Sequence, residues 1–290
     1  MTVPHVTPPS YPVRKPGRFS ATIRTDDPSG CRVGLLGLPD DTGIKMNGGR
    51  PGAAEGPAAF REALATLGVA HPAGFEWPLV YDAGDVVAAA TLEETHERVT
   101  SASKALVDLG LIPIGVGGGH DLTYAFTRGI IPSLENPVVV YCDAHLDVRE
   151  TPGSGMPFRW LADHCGVKEF HVHGLDPYAN ASEHLNWFQS HGGRVDPFGP
   201  HDDWPAGDVC FSFDLDVLDQ QTAPGVSAPN PTGWSSAQAE RWCHAAGRCE
   251  RVHCLDIMEL SPPHDRDDRT ARLAARLFQA MLRGVAERRS

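Results

Sequence analysis

PVVVYCDAHLDVRE, residues 137–150, opens as an unbroken apolar run and closes as a cluster of charge. The apolar half reads as a strand covered on both faces, the mark of a parallel sheet layered between helices. In extended chain, alternate side chains share a face. Asp143, His145 and Asp147 can therefore aim one way, and Arg149 follows two positions later. The same pattern recurs twice. IGVGGGHD (114–121) ends in a glycine turn and His120, and VCFSFDLDVLD (209–219) ends in Asp214, Asp216 and Asp219.

Further apolar runs lie at 32–38 (RVGLLGL), 111–116 (LIPIGV), 170–175 (FHVHGL) and 252–257 (VHCLDI), with a less continuous one at 78–86. Between them, amphipathic patterns predict helices over 56–68, 92–110, 236–247 and 269–287. Strand and helix alternating along one chain predict a mostly parallel central sheet with helices on both faces. Ligands of such sheets bind where the strands end at their carboxyl side, and the polar clusters fall there. No linker, repeat or low-complexity block interrupts 31–290, which reads as one domain. Residues 1–30 are proline-rich with little periodicity and read as an arm that lies over the domain or is partly disordered.

The 290 residues carry a formal charge of −12, which argues against a general nucleic-acid binder, because phosphate contacts need clustered Lys and Arg. The first twenty residues lack the apolar core of a signal peptide, and no stretch reaches the roughly 18 apolar residues of a membrane span. Seven cysteines in no regular framework suit reduced thiols and a cytoplasmic home. His171 and His173 alternate on a strand and read as core or interface residues, and HDRDDR (264–269) as a solvated turn.

Several carboxylates at the edge of a core repel one another unless cations sit between them. Four Asp and two His with no thiolate form a hard, oxygen-rich set that favours a pair of divalent ions, Mn²⁺ foremost, over structural zinc. Two such ions activate water and polarise a substrate together.

At these residues the chain resembles the ureohydrolases, the family of arginases and agmatinases. Their signatures stand here as GGGHD, DAHLD and SFDLDVLD, in the family's order, and the likeness runs from residue 31 to about 285. The resemblance implies a three-layer α/β/α sandwich and two Mn²⁺ ions. It implies that His120, Asp143, Asp147 and Asp214 hold one ion. Asp143, His145, Asp214 and Asp216 would hold the other, with Asp143 and Asp214 bridging. Asp147 would orient the attacking water and carry its proton. Glu259, in LDIMELSP, would pair with an amidinium or guanidinium. The family also implies a trimer or hexamer.

Two departures narrow the choice. Arginases and agmatinases carry a His–Gly pair shortly after the metal strand, where this chain has Ser154 and Gly155. They also place small or neutral residues where Arg149 stands. Both features resemble formimidoylglutamases, enzymes of histidine degradation, as do DDTGIKMNGGRPGAAEGPAAFREAL (40–64) and its Asn47 and Arg50. A substrate with two carboxylates and one amidinium calls for arginines in an acidic site. Arg149, Arg159 and Arg50, with Asn47, are the candidates, since the guanidinium fork suits carboxylates. The alternatives are an agmatinase or guanidino-acid hydrolase releasing urea, and a metal-binding regulator without turnover.

Overall fold

The computed structural model describes residues 2–12, 14–70 and 75–288. Met1 and Val13 of the arm, and 71–74 and 289–290 of the domain, lie outside them. Nine strands form one sheet: β1 (Val6–Thr7), β2 (Val33–Leu38), β3 (Val80–Val86), β4 (Ile112–Gly117), β5 (Pro137–Cys142), β6 (Phe170–His173), β7 (Gly193–Val195), β8 (Asp208–Asp214) and β9 (Val252–Met258). Their spatial order is β1-β3-β2-β4-β9-β8-β5-β6-β7. Every pairing is parallel except that of β1 with β3.

Among the described residues eight α-helices accompany the sheet: α1 (Thr42–Met46), α2 (Gly56–Leu64), α3 (Leu92–Asp108), α4 (Leu122–Ile130), α5 (Pro157–Cys165), α6 (Ser182–Ser190), α7 (Ser236–Arg248) and α8 (Arg269–Ala286). Strand β5 shows why the architecture has three layers. Val138, Val140 and Cys142 enter one core, with Phe60 of α2, Trp242 of α7 and Phe278 of α8. Val139 and Tyr141 enter the other, with Leu106 of α3, Phe126 of α4, Phe158 of α5 and Phe188 of α6. Period-two alternation with apolar residues on both sides gives an α/β/α sandwich, as the sequence predicts.

Four helices went unread in the sequence for identifiable reasons. Helix α4 spans only nine residues directly after the glycine turn, and all of them but Arg128 are buried. Helices α1, α5 and α6 span only five to nine residues. The N-terminal segment is tied down at several points. Besides β1, Phe19 is fully buried among Trp77 and Phe278, and the Tyr11 hydroxyl donates to Asp82 at 2.6 Å.

Chain order and spatial order diverge after β4. The next strand, β5, lies three places away, and the gap is filled later by β9 and β8. In sheets of this kind such a reversal marks where ligands bind, here at the carboxyl ends of β4, β9, β8 and β5. His120, Glu259, Asp214 and Asp143 stand at those four ends.

Candidate active site

The turn after β4 needs glycine. Gly118 has φ +31°, and a Cβ there would lie 2.4 Å from the carbonyl oxygens of both Leu38 and Asp40. The turn is locked to β9: the His120 amide donates to Glu259 Oε1 at 2.7 Å, and the Glu259 amide donates to the Gly118 carbonyl at 2.9 Å. The ends of β5 and β8 share one device. Asp143 Oδ1 accepts from the His145 amide, and Asp214 Oδ1 from the Asp216 amide, each at 2.7 Å. Each turn leaves the second carboxylate oxygen, Oδ2, aimed at the centre.

Three carboxylate oxygens meet there on one imidazole nitrogen. His120 Nδ1 lies 2.9 Å from Asp147 Oδ2, 2.9 Å from Asp214 Oδ2 and 3.2 Å from Asp143 Oδ2. One N–H cannot satisfy three acceptors. On the far side of the ring, Nε2 lies 3.0 Å from Ser212 Oγ, which itself donates to Asp256 Oδ1 at 2.5 Å. The Ser212 proton is committed to Asp256, so Nε2 donates to Ser212. Burial pulls His120 down, but Asp214, Asp143 and Asp147 override it and keep a second proton on Nδ1. A cation in that proton's place would leave the Nε2 proton and an Nδ1 lone pair. This is the tautomer of a metal-ligating histidine backed by a carboxylate. Ligand atoms of His120, Asp143, Asp147 and Asp214 lie within 4.8 Å of one another and can hold a metal ion. His145 adjoins them, Nδ1 to Asp143 Oδ1 at 3.3 Å, and Asp216 receives weak contacts from the Ser227 hydroxyl at 3.5 Å and the Ala228 amide at 3.4 Å.

Charge makes the same point. Burial and the neighbouring Asp143 charge push Asp214 up to about 6. Burial and Asp214 raise Glu259, and burial, Asp214 and Glu259 raise Asp216, both well above the usual carboxylate range. Burial pulls His145 down, yet Asp143, Asp216 and Asp147 override it and hold the imidazole at about 11. Protons are standing in for cations. The buried Oδ2 of Asp143 and Oε2 of Glu259 have no hydrogen-bond partner among the described residues. A hard divalent ion fits this donor set. Asp147 (φ +48°) and Glu259 (φ +67°) also sit in left-handed backbone, at a cost on the order of 1–3 kcal/mol each, as functional positions often do.

The three candidate arginines separate. Arg149 is exposed and makes no side-chain hydrogen bond or ion pair with the described residues. Its loop is firmly held. The Arg149 amide donates to Gly155 O at 2.8 Å and the Ser154 amide to Gly43 O at 3.0 Å. The Asn47 amide oxygen accepts from Ser154 Oγ and the Gly155 amide at 2.9 and 2.7 Å. Trp160 Nε1 donates to Glu150 O at 3.1 Å. Arg159 instead faces Glu150 (3.6 Å) and Asp163 (3.4 Å) and lies over the Trp187 ring, touching none of the carboxylate cluster. Arg50 donates to the carbonyls of Ser227 (3.2 Å), Pro224 (3.4 Å) and Val226. His164, the histidine that follows this loop in sequence, packs edge-on against Tyr124 and Trp160.

Comparison with known proteins settles the kinship. The model of the arginase family matches residues 31–283. The chain belongs to the arginase family. Within it, the chain is 37% identical to a formimidoylglutamase of Aromatoleum aromaticum, over 88% of this chain and 83% of that one. It is 33% identical to a formimidoylglutamase of Ralstonia nicotianae, over 93% and 91%. The Trypanosoma cruzi formiminoglutamase solved with Mn²⁺ superposes with a TM-score of 0.85 at 29% identity, over 94% of this chain and 99% of that one. Proclavaminate amidino hydrolase of Streptomyces clavuligerus superposes with a TM-score of 0.82 at 26% identity, over 95% and 98%.

Three residues of this arginase-family site escaped the sequence reading: Ser212, Asp256 and Ser227. Asp256 had a signal, a lone acid inside an apolar strand, which is costly unless partnered. Ser212 and Ser227 had none, because a serine's role depends on what tertiary packing sets beside it.

Proposed function

We propose that this arginase-family hydrolase cleaves N-formimidoyl-L-glutamate to L-glutamate and formamide. The observation that carries the reading is Arg149, an exposed guanidinium without a partner among the described residues, two residues beyond Asp147 in a loop pinned by Asn47, Gly43 and Trp160. The identity to formimidoylglutamases supports it.

His120, Asp143, Asp147 and Asp214 would hold one Mn²⁺, and Asp143, His145, Asp214 and Asp216 a second. When bound, such ions supply Lewis acidity toward the amidine and bring the acidity of water near neutrality. The chain's own residues do the rest. Glu259 Oε2 receives the amidinium nitrogens, while Oε1 stays bonded to the His120 amide. Arg149 takes a substrate carboxylate through its bidentate fork. Asp147, whose side chain is 13% exposed where those of His120, Asp143 and Asp214 are at most 2%, orients the attacking water and carries its proton to the leaving amine. The C–O bond forms as the bond from carbon to the glutamate nitrogen breaks, and the proton ends on that nitrogen. We place Asn47 behind the Arg149 loop, and Arg159 at the solvated rim.

A product assay decides. Equal formamide and glutamate are expected. Urea from a guanidino acid would establish the rival reading, and no turnover with both ions bound would leave a regulator. Arg149→Ala should lower kcat/KM for formimidoylglutamate about 30-fold or more, since truncating one partner of a desolvated charge pair costs roughly 2–5 kcal/mol. An amidine without carboxylates should be cleaved as well as by the parent. Equal losses on both substrates would make Arg149 structural.

We also propose a homo-oligomer, trimer or hexamer, and a cytoplasmic home. All seven cysteines are free thiols, and among the described residues no helix is long and apolar enough to cross a membrane. Light scattering tests the assembly.

A further inference from the structure

The segment Asn47–Gly52, between α1 and α2, is bonded to three of the loops that wall the site. Asn47 holds the loop after β5 at Ser154 and Gly155. Arg50 holds the loop after β8 through the carbonyls of Pro224, Val226 and Ser227. Pro51 O accepts from His264 Nε2 at 3.0 Å, in the loop after β9. The last contact needs Gly52, whose φ is +134° and whose Cβ would come within 2.7 Å of Ser261 Oγ and 2.9 Å of Pro263. The strap is anchored in turn, since the Gly52 amide donates to Asp41 Oδ2 at 2.7 Å.

Asp216 depends on this arrangement. Among the described residues its carboxylate receives hydrogen bonds only from Ser227 Oγ and the Ala228 amide, at 3.5 and 3.4 Å. Both are at the long, weak end of the range. Nothing within the Asp216 turn fixes the aim of that carboxylate, so its aim rests on where the 224–228 loop sits. Arg50 clamps that loop from behind with charge-assisted bonds, the stronger kind. A guanidinium that donates to carbonyls from both Nε and Nη2 has its fork already engaged and is poorly placed to receive a substrate carboxylate as well.

We propose that Arg50 is a positioning residue for the Asp216 cation site, acting through the 224–228 loop, and not a substrate contact. The proposal rests on the dinuclear reading above. Its first readout, metal affinity, needs no substrate, so a wrong substrate assignment would not disturb it.

The test is Mn²⁺ titration of metal-stripped parent, Arg50→Lys and Arg50→Gln, followed by electron paramagnetic resonance, which separates spin-coupled Mn²⁺ pairs from single ions. Kinetics follow on formimidoylglutamate and on an amidine lacking carboxylates. In Arg50→Gln the second Mn²⁺ should bind about tenfold or more weakly while the first binds as in the parent, as loss of a charge-assisted hydrogen bond implies. At limiting Mn²⁺, kcat should fall alike on both substrates, and excess Mn²⁺ should restore it, with KM changed less than about threefold. Arg50→Lys, which keeps one donor and the charge, should lie between parent and Gln, and it serves should the Gln variant fail to fold. Unchanged affinity for both ions with KM raised only for the carboxylate substrate would make Arg50 a substrate contact. Unchanged affinity with unchanged kinetics would make the clamp irrelevant. Either result overturns the proposal.

Discussion

Two carboxylate clusters of this protein, one around Arg61 and one around His120, solve the same problem differently. Asp82 and Asp85, on β3, face Arg61 of α2. The guanidinium binds Asp82 through Nε (2.8 Å) and Nη2 (2.9 Å) and Asp85 through Nη1 (2.6 Å), with Tyr11 completing the set. Burial pulls Arg61 down, but Asp82 and Asp85 more than offset it and hold the guanidinium above its ordinary range. That cluster carries its own cation. Asp143, Asp147, Asp214, Asp216 and Glu259 lie beyond the carboxyl ends of β5, β8 and β9 with two imidazoles and no guanidinium or ammonium bonded to them among the described residues. A buried carboxylate group that brings its own cation is a fastener, and one that does not is a receptor for cations.

The comparison can be broken from either side. The largest effect should come from Asp214→Asn, which removes an oxygen common to both proposed ions. Turnover should fall by about three orders of magnitude or more, because Lewis acid and activated water are lost together. The metal-free variant should melt no lower than the metal-free parent, since a repelling charge is gone. Elemental analysis and calorimetry measure both. Two bound ions with ordinary turnover would refute the receptor reading.

Arg61→Met should do the reverse. It strands the buried Asp82 beside the partly exposed Asp85, so it should cost roughly 3–5 kcal/mol of stability in urea unfolding. The folded fraction should bind Mn²⁺ and turn over as the parent does. A loss under about 1 kcal/mol would mean that Asp82 and Asp85 reach solvent without it.

A pH series sharpens the contrast. Asp214, Asp216 and Glu259 have folded-state values above their ordinary ones, and Asp214 rises from 3.8 to about 6. Their contribution is present at low pH and is lost as pH rises through the folded values. His145, held at about 11 against an ordinary 6.5, loses its contribution in the same direction over that higher window. Metal-free protein should therefore lose stability above about pH 4 relative to the Mn²⁺-loaded form. The gap in Tm between the two should widen by several degrees from pH 5 to pH 8. Groups elsewhere titrate alike in both forms and cancel. A constant gap would mean that protons do not stand in for metal.

The smallest effect belongs to Arg159→Ala. Its partners Glu150 and Asp163 are solvent-exposed, and exposed pairs contribute roughly 0–1 kcal/mol. Stability and kcat/KM should each change less than about threefold in equilibrium or rate. A selective loss on the carboxylate substrate would put Arg159 beside Arg149.

How far the sequence carried is visible in particular residues. Strands β2, β4, β5, β8 and β9 are legible because burial on both faces demands continuous apolar runs, and no other element combines that with a length of six or seven. Asp143, His145, Asp147, Asp214 and Asp216 are legible because polar residues that follow an apolar strand stand at its carboxyl end, and His120 because it follows the glycine turn after β4. The period-two alignment itself does not hold, since 143–147 lie beyond β5 with Asp147 at φ +48° and Asp216 lies in the 3-10 turn Leu215–Val217. The three arginines are a different case. Arg149 and Arg159 flank the same loop, and composition does not distinguish them. One meets Glu150 and Asp163 and the other meets neither, a matter of where α5 turns the side chain.

Local rules therefore determined the layers, the strand ends and the six candidate ligand residues, of which His120, Asp143, Asp147 and Asp214 converge closely enough to hold an ion. Packing between segments far apart in sequence decided the remainder. It closed the Arg61 cluster 21 to 24 residues away from its acids. It set Ser212 and Asp256 behind His120, giving the Nε2 proton an acceptor. It brought Arg50 to a loop more than 170 residues further on. A side chain's neighbours along the chain follow from backbone periodicity, but its partners across the fold depend on the free energy of the whole molecule, which pairs no two residues until every layer is in place.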